Sequence, residues 1–383
     1  MEKIYLDHAA TSPTHPVVAD VMLPIMTKVF GNPSSIHGFG REARMHVDQA
    51  RTTISKAIGA KFHDIIFTSG GTEADNLAII GVAKARQHQG KHIITTEIEH
   101  HAVLHTCQML EGEGFEVTYL PVDEKGLISI EGLKDALRED TILVTIMYGN
   151  NEVGTIQPIG EIGELLQEHP AYFHTDAVQA FGILPIDVNE LNVDLLSVSA
   201  HKINGPKGMG FLYAREEVQF VPSLYGGEQE RKRRAGTENV PGVVGLSKAV
   251  ELGEESRAGK QELYLSYKRI FCRILQENGV RFDLNGFLEE SLPHVLNLSF
   301  PGTDVEAMLV NLDMSGIAAS SGSACTAGSI EPSHVLVAMH GKESERLRNS
   351  IRFSFGYNNT VEQVEKAAKA VATIVQRLTT STE

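Results

Sequence analysis

The chemistry of this chain is concentrated in a few short runs, and the first is SVSAHKINGPKGMGFLY, which sets Lys202 beside Ser199, His201 and a Gly-Pro turn. A lysine withdrawn from water gives up its proton readily and can form a Schiff base. Ser199 and His201 can donate to a phosphate while the amine reaches an aldehyde on the same molecule. A solvated lysine on a turn is the plainer alternative. Upstream, FHTDAVQAFG ends an apolar run on Asp176 and Gln179. A carboxylate there can keep a pyridine nitrogen protonated, which makes the ring an electron sink. It can equally cap the next helix.

FTSGGTEADNLAII has the form of a strand, a glycine turn and a helix start. Free N–H groups at a helix N-terminus bind phosphate, and Gly71 and Thr72 would bring backbone and hydroxyl donors close. An N-cap whose Glu73 and Asp75 complement the helix dipole fits the same residues. The run is not a Walker loop and lacks the full dinucleotide fingerprint.

In EHHAVLHTC, His101 and His105 stand four apart on an expected helix, a possible metal pair. No third ligand has suitable spacing and HExxH is absent, so no metal is expected. His100, at the loop–helix junction, can stack on an aromatic cofactor and act as an acid or base. SSGSACTAGS surrounds Cys325 with small residues and gives it no apolar neighbours. An exposed thiol on a Gly- and Ser-rich loop suits a nucleophile that reaches inward and then delivers outward. Cys107 and Cys272 fall in amphipathic patterns and read as structural. Arg352, between apolar strand residues of SIRFSFG, needs an anionic partner, either a substrate carboxylate or a structural acid. The basic run Arg231 to Arg234 suits a solvated face, an anion or a subunit contact.

These runs must be positioned by something. Short apolar segments alternate with amphipathic ones: strands at 65–67, 92–95, 117–121, 141–147, 171–175, 194–199 and 208–213, with helices at 72–87, 101–113, 131–138 and 159–168. TILVTIM is apolar on both faces, as a central parallel strand is. The alternation predicts an α/β fold with a mostly parallel central sheet flanked by helices. Ligands of such sheets sit beyond the carboxyl ends of the strands, where the polar runs fall. Past about residue 250 the pattern changes to helices at 240–252 and 263–278, strands at 294–300 and 350–355, and a last helix at 360–378. This predicts a smaller α+β domain. The boundaries read as 14–255 for the large domain and 1–13 with 256–383 for the small one.

The 383 residues carry 34 basic and 49 acidic side chains, a net charge of −15. So acidic a surface excludes a general nucleic-acid binder. Three cysteines make no disulfide framework and fit a reducing cytoplasm. The N-terminal residues have no signal-peptide pattern, and no apolar run approaches the ~20 residues of a membrane span.

The joint order of YLDHAATSP, GNPSSIHGFGR, FTSGGTEADN, TEIEHHAVL, NNEVG, HTDAVQ, SAHKINGPKG, RAGTEN, SSGSACTAGS and SIRFSFG resembles the cysteine desulfurases of the NifS/IscS type. These are class-V aminotransferase-like enzymes on the fold-type-I pyridoxal-phosphate scaffold, and the long Cys325 segment resembles their long-loop group. The resemblance implies pyridoxal 5'-phosphate held by Lys202, which also moves protons at the substrate. It implies that His100 stacks on the ring, Asp176 pairs with the pyridine nitrogen and Gln179 contacts the ring hydroxyl. Gly71, Thr72, Ser199 and His201 would bind the phosphate, and Thr237 the phosphate of the other subunit of a homodimer. Asn151 and Arg352 would hold the carboxylate of L-cysteine, and Cys325 would take its sulfur as a persulfide. It further implies an acceptor protein, serving tRNA thiolation or iron–sulfur cluster assembly. A selenocysteine lyase or an aminotransferase on the same scaffold is the rival reading.

Overall fold

A computed structural model describes residues 2–321 and 332–380. The chain begins β1 (Ile4–Tyr5), α1 (Pro16–Lys28), α2 (Gly38–Ala57), β2 (Ile65–Thr68), α3 (Gly71–Arg86), β3 (His92–Thr96) and α4 (His101–Gly112). It continues β4 (Glu116–Leu120), α5 (Ile130–Ala136), β5 (Thr141–Thr145), α6 (Ile159–Leu166), β6 (Tyr172–Asp176), β7 (Leu195–Ser199) and β8 (Gly210–Ala214). Then follow α7 (Val240–Glu277), β9 (Asp283–Asn285), β10 (Val295–Ser299), α8 (Val305–Met314), β11 (Ile317–Ala318), α9 (His334–His340), β12 (Ser350–Ser354) and α10 (Val361–Thr380).

Seven strands form one sheet in the order β2-β8-β7-β6-β5-β3-β4. All pairs are parallel except those of β8, which runs antiparallel to both β7 and β2. Two reversals cancel, so β2 points the same way as β3 to β7. The carboxyl ends of six strands therefore open on one edge, as the sequence pattern requires. β5 lies between β3 and β6 and every residue of it is buried. Its β-branched and leucine side chains pack helices on both faces.

A second apolar cluster joins Ile4 and Leu6 to residues of α7, β10, α8, β12 and α10. Its sheet is antiparallel, β12-β10-β9, and β1 pairs with β11 in parallel. α10 buries Val364, Ala367, Ala368, Val371, Ala372 and Val375, the three-and-four spacing of an amphipathic helix. The N-terminal segment thus starts in this cluster and then runs to the main sheet.

One expectation needs correction. The helices expected at 240–252 and 263–278 are a single helix, α7, of 38 residues. GEESRAGKQE between them has no apolar periodicity, but it has no proline and is rich in good helix formers, so nothing breaks the hydrogen-bond ladder. Arg257 and Glu254 pair at 2.5 Å, three residues apart on this stretch.

Candidate active site

A cleft of about 840 Å3 opens at the carboxyl edge of the large sheet. It gathers Gly71, Thr72, His100, Asn151, Asp176, Gln179, Ser199, His201, Lys202 and Arg352. These are ten of the twelve expected residues. Thr237 is exposed and does not line the cleft of its own chain. Cys325 lies outside the described residues, while Ser320 and His334, on either side of it in sequence, line the cleft.

β7 runs into a 3-10 turn, Ala200–Lys202, that turns the lysine into the cleft. Lys202 Nζ donates to the carbonyls of Ala9 at 2.5 Å and Ala10 at 2.8 Å. Burial, and then the Arg352 cation, push its pKa down to about 8, against the pull of Asp176 and Asp7. Little free energy is then needed to expose a neutral amine. Asp176 closes β6, and its Oδ1 accepts from Val178 N at 2.8 Å. Burial raises it to about 6, while Val178 and Lys202 oppose the shift.

α3 begins at Gly70, whose φ of 153° is a glycine conformation, and no side chain caps the helix. The first-turn N–H groups of a helix have no partner within it. Ser199 lies close to this helix start: a Cβ on Gly70 would be 3.7 Å from Ser199 Oγ. A Cβ on Gly71 would come within 2.8 Å of Val178 Cγ2. The backbone is thus held close to the β6 and β7 ends, and at Gly71 a side chain would crowd Val178. His201 Nδ1 lies 3.1 Å from Thr11 Oγ1.

His100 caps α4, its Nδ1 accepting from Ala102 N at 3.1 Å. The surrounding protein walls, with Lys202 nearby, push its pKa to about 4, so the ring is neutral at pH 7. His101 and His105 stack with centroids 4.9 Å apart, and His101 lies 4.7 Å from His334. Among the described residues no group of three or more His, Cys, Asp or Glu is arranged to hold a metal.

Arg352 sits at the centre of β12, almost fully buried. Its Nη2 donates to Asp7 Oδ1 at 2.8 Å and its Nη1 to the Asn151 carbonyl at 2.9 Å. Both readings of this arginine are therefore represented: a structural acid fixes one edge, and the group still faces the cleft. Asp7 escaped the sequence reading. Asp75, read from the sequence only as a complement to the helix dipole, is a buried acid lining the cleft, and Glu99, given no role there, is a buried acid behind it. Glu99 Oε1 accepts from Thr96 Oγ1 at 2.8 Å and Met147 N at 2.9 Å, and burial raises its pKa to about 8. Asp75 is raised well above the usual range by burial and by Asp176. Glu99 directly precedes the His100 pair, the one sequence signal that could have marked it. Cys107 and Cys272 are buried, and burial pushes their thiols up to about 12 and about 11. They are poor nucleophiles.

An amine with a depressed pKa, a buried acid on the neighbouring strand, an uncapped helix N-terminus and a cationic guanidinium in one cleft define a pyridoxal-phosphate site. The donors fit its aldehyde, pyridine nitrogen and phosphate. The aminotransferase class-V model matches residues 4–367, and the chain belongs to that family, whose cysteine desulfurase members depend on pyridoxal phosphate. A protein of Bacillus subtilis, provisionally named cysteine desulfurase IscS 1, is 67% identical over 99% of this chain and 100% of its own. A solved NifS-like protein superposes with a TM-score of 0.91 at 36% identity, over 98% of this chain and 100% of that one. A structure described as SspA in complex with cysteine has a TM-score of 0.82 at 40% identity, over 92% and 99%. Among the described residues no helix is long and apolar enough to cross a membrane.

Proposed function

We propose that this chain is a pyridoxal-phosphate-dependent cysteine desulfurase that takes sulfur from L-cysteine, releases L-alanine and holds the sulfur as a persulfide on Cys325. The observation that carries the reading is the meeting of Lys202, Asp176, the α3 N-terminus and Arg352 in one cleft. The desulfurase name of the Bacillus relative and the cysteine in a similar solved structure support the substrate.

Bound in the cleft, pyridoxal phosphate supplies an electron sink for charge released at the substrate α-carbon. The chain does the rest. Gly71 and Thr72 offer backbone and hydroxyl donors to the phosphate, joined by Ser199 and His201. Asp176 would keep the pyridine nitrogen protonated, and Gln179 would donate to the ring oxygen. Lys202 holds the cofactor, then moves protons at the α and β carbons, a task its depressed pKa suits. His100, neutral at pH 7, covers the ring and can accept a proton. Arg352 and Asn151 grip the substrate carboxylate. The Cys325 thiolate attacks the substrate sulfur. An S–S bond forms as the C–S bond breaks, and the electron pair left on carbon is quenched by a proton, giving alanine.

The persulfide then passes to a thiol on an acceptor protein, for tRNA thiolation or iron–sulfur assembly, in a reducing cytoplasm. A homodimer, in which Thr237 reaches the neighbouring phosphate, is supported by bare apolar side chains on α1 and α2. The separate apolar cluster that joins Ile4 and Leu6 to α10 supports a reading as two lobes, 14–255 and 1–13 with 256–383.

The test is alanine release from L-cysteine with a thiol reductant, comparing the wild type with Cys325→Ala. The expected result is release by the wild type, at least 100-fold less by the variant, and a yellow cofactor in both. Equal release by both would make the chain a general lyase and remove Cys325 from the mechanism.

A further inference from the structure

Beside the cofactor cleft lies a smaller cavity of about 30 Å3, lined in part by His8, Gln179, Lys202, Lys260, Tyr264 and His294. It shares Gln179 and Lys202 with the cleft. His8 and His294 are only 4% and 7% exposed. Each has one ring nitrogen without a partner among the described residues, Nε2 of His8 and Nδ1 of His294. The space is large enough for one water.

Heavy-atom positions settle where the hydrogens lie. The Ala9 carbonyl can only accept, and it already accepts from Lys202 Nζ. It stands 3.0 Å from one end of the Gln179 amide, so that end is the NH2 group. The other end, Oε1, can only accept, and it stands 3.2 Å from His294 Nε2. His294 Nε2 therefore carries the hydrogen, and Nδ1 is an acceptor in a neutral ring. The groups acting on the ring besides burial are Lys268, His8, Lys202 and Arg352, with no carboxylate among them. Burial and these neighbours hold its pKa near 3, so the ring stays neutral at any working pH.

The Gln179 amide has a second N–H. With Oε1 held by His294 and one N–H by Ala9, that second N–H is left for the cleft. If the amide turned end for end, it would set its oxygen against Ala9 O and against the ring oxygen of a bound cofactor.

We propose that His294 is a positioning residue for Gln179: its Nε2–H fixes which end of the amide faces the cofactor's ring oxygen, and one water shared with His8 Nε2 locks its tautomer. The proposal rests on the reading that Gln179 donates to that oxygen. A donor there stabilises the oxygen as an anion, and so favours loss of the proton from the lysine–cofactor nitrogen. Removing the donor makes that proton harder to lose.

The experiment is a pH titration of the cofactor absorbance in the holoenzyme for wild type, His294→Leu, His294→Gln and Gln179→Leu. Histidine 15N spectra of the wild type accompany it. The loss of one hydrogen bond moves the apparent pKa of the chromophore by about one unit. The shift is expected upward in His294→Leu and Gln179→Leu, and mostly reversed in His294→Gln, whose amide N–H reaches the ε position and can replace the imidazole donor. The 15N spectra should show a buried histidine that stays in the Nε2–H form down to about pH 5. If Gln179→Leu shifts the titration and His294→Leu does not, His294 positions nothing and the Gln179 contact stands. If neither shifts it, the Gln179 contact itself is wrong and the proposal falls with it. An Nδ1–H tautomer in the wild type overturns the proposal without any substitution, whether or not His294→Leu folds.

Discussion

At the scale of single residues, the acids behind the cleft are as informative as the groups inside it. Glu99 has two acceptor contacts on Oε1, while Oε2 has no partner among the described residues. That is the pattern of a protonated carboxyl, and its pKa of about 8 agrees. The sign follows from proton counting. Between the unfolded value of 4.5 and about 8, the folded chain binds the proton and the unfolded chain does not. Its contribution to stability is therefore full below about 4.5 and is lost as pH rises through about 8. Glu99→Gln keeps the accepting oxygen and can never ionise. Urea denaturation of the holoenzyme at pH 5, 6.5 and 8 should show the wild type losing stability on the order of a few kcal/mol, and the variant losing distinctly less. Equal slopes for both would mean that Glu99 is ionised in the fold. Lys202, Asp176 and Gln179 were legible in the sequence because each ends a strand-like run. The Asp7–Arg352 pair was not, because 345 positions separate its members and only the tertiary fold brings them together.

Among elements, the main sheet was the most legible, since period and composition both marked its strands, and β8 alone reverses direction. α7 was less so, because apolar periodicity reports what a helix packs against, not whether it continues. Its N-terminal part packs on the large core, its C-terminal part on the second cluster, and the stretch between has little to bury. That stretch holds Gly259, and a Cβ built there meets nothing within 4 Å. Glycine in an exposed helix interior costs roughly 0.5–1 kcal/mol relative to alanine, because the unfolded chain gains more freedom from it. Gly259→Ala should raise stability by about that amount in urea denaturation, with alanine release unchanged. A loss of stability would mean that α7 is bent or broken at this point. Gly71→Ala is the useful contrast, because its Cβ would press on Val178 at the phosphate cradle.

At the scale of the whole molecule, the exposed apolar side chains are unevenly placed. α1 and α2 both pack on α7, and Leu23 62% and Met26 62% on α1, Phe30 73% and Ile36 91% in the segment between the helices, and Phe39 57% on α2 are exposed. Phe30 and Phe39 touch, with ring centroids 5.2 Å apart. Five large apolar side chains exposed within seventeen residues fit a protein interface whose partner is absent. The homodimer proposed above would also account for Thr237, which is exposed and does not line the cleft of its own chain. The two observations are independent, one concerning apolar area and the other an unused hydroxyl, and they make a joint prediction. Phe30→Glu with Phe39→Glu places two charges where they would be desolvated, so sedimentation should show the wild type as a dimer and the double variant as a monomer. The monomer should also bind pyridoxal phosphate more weakly, by roughly 10-fold for one lost charge-assisted hydrogen bond of about 1.5 kcal/mol. Thr237→Ala should reproduce that weakening while remaining a dimer. A wild type that sediments as a monomer at micromolar concentration removes the dimer. A dimer in which Thr237→Ala binds the cofactor as the wild type does keeps the interface but takes Thr237 out of the site.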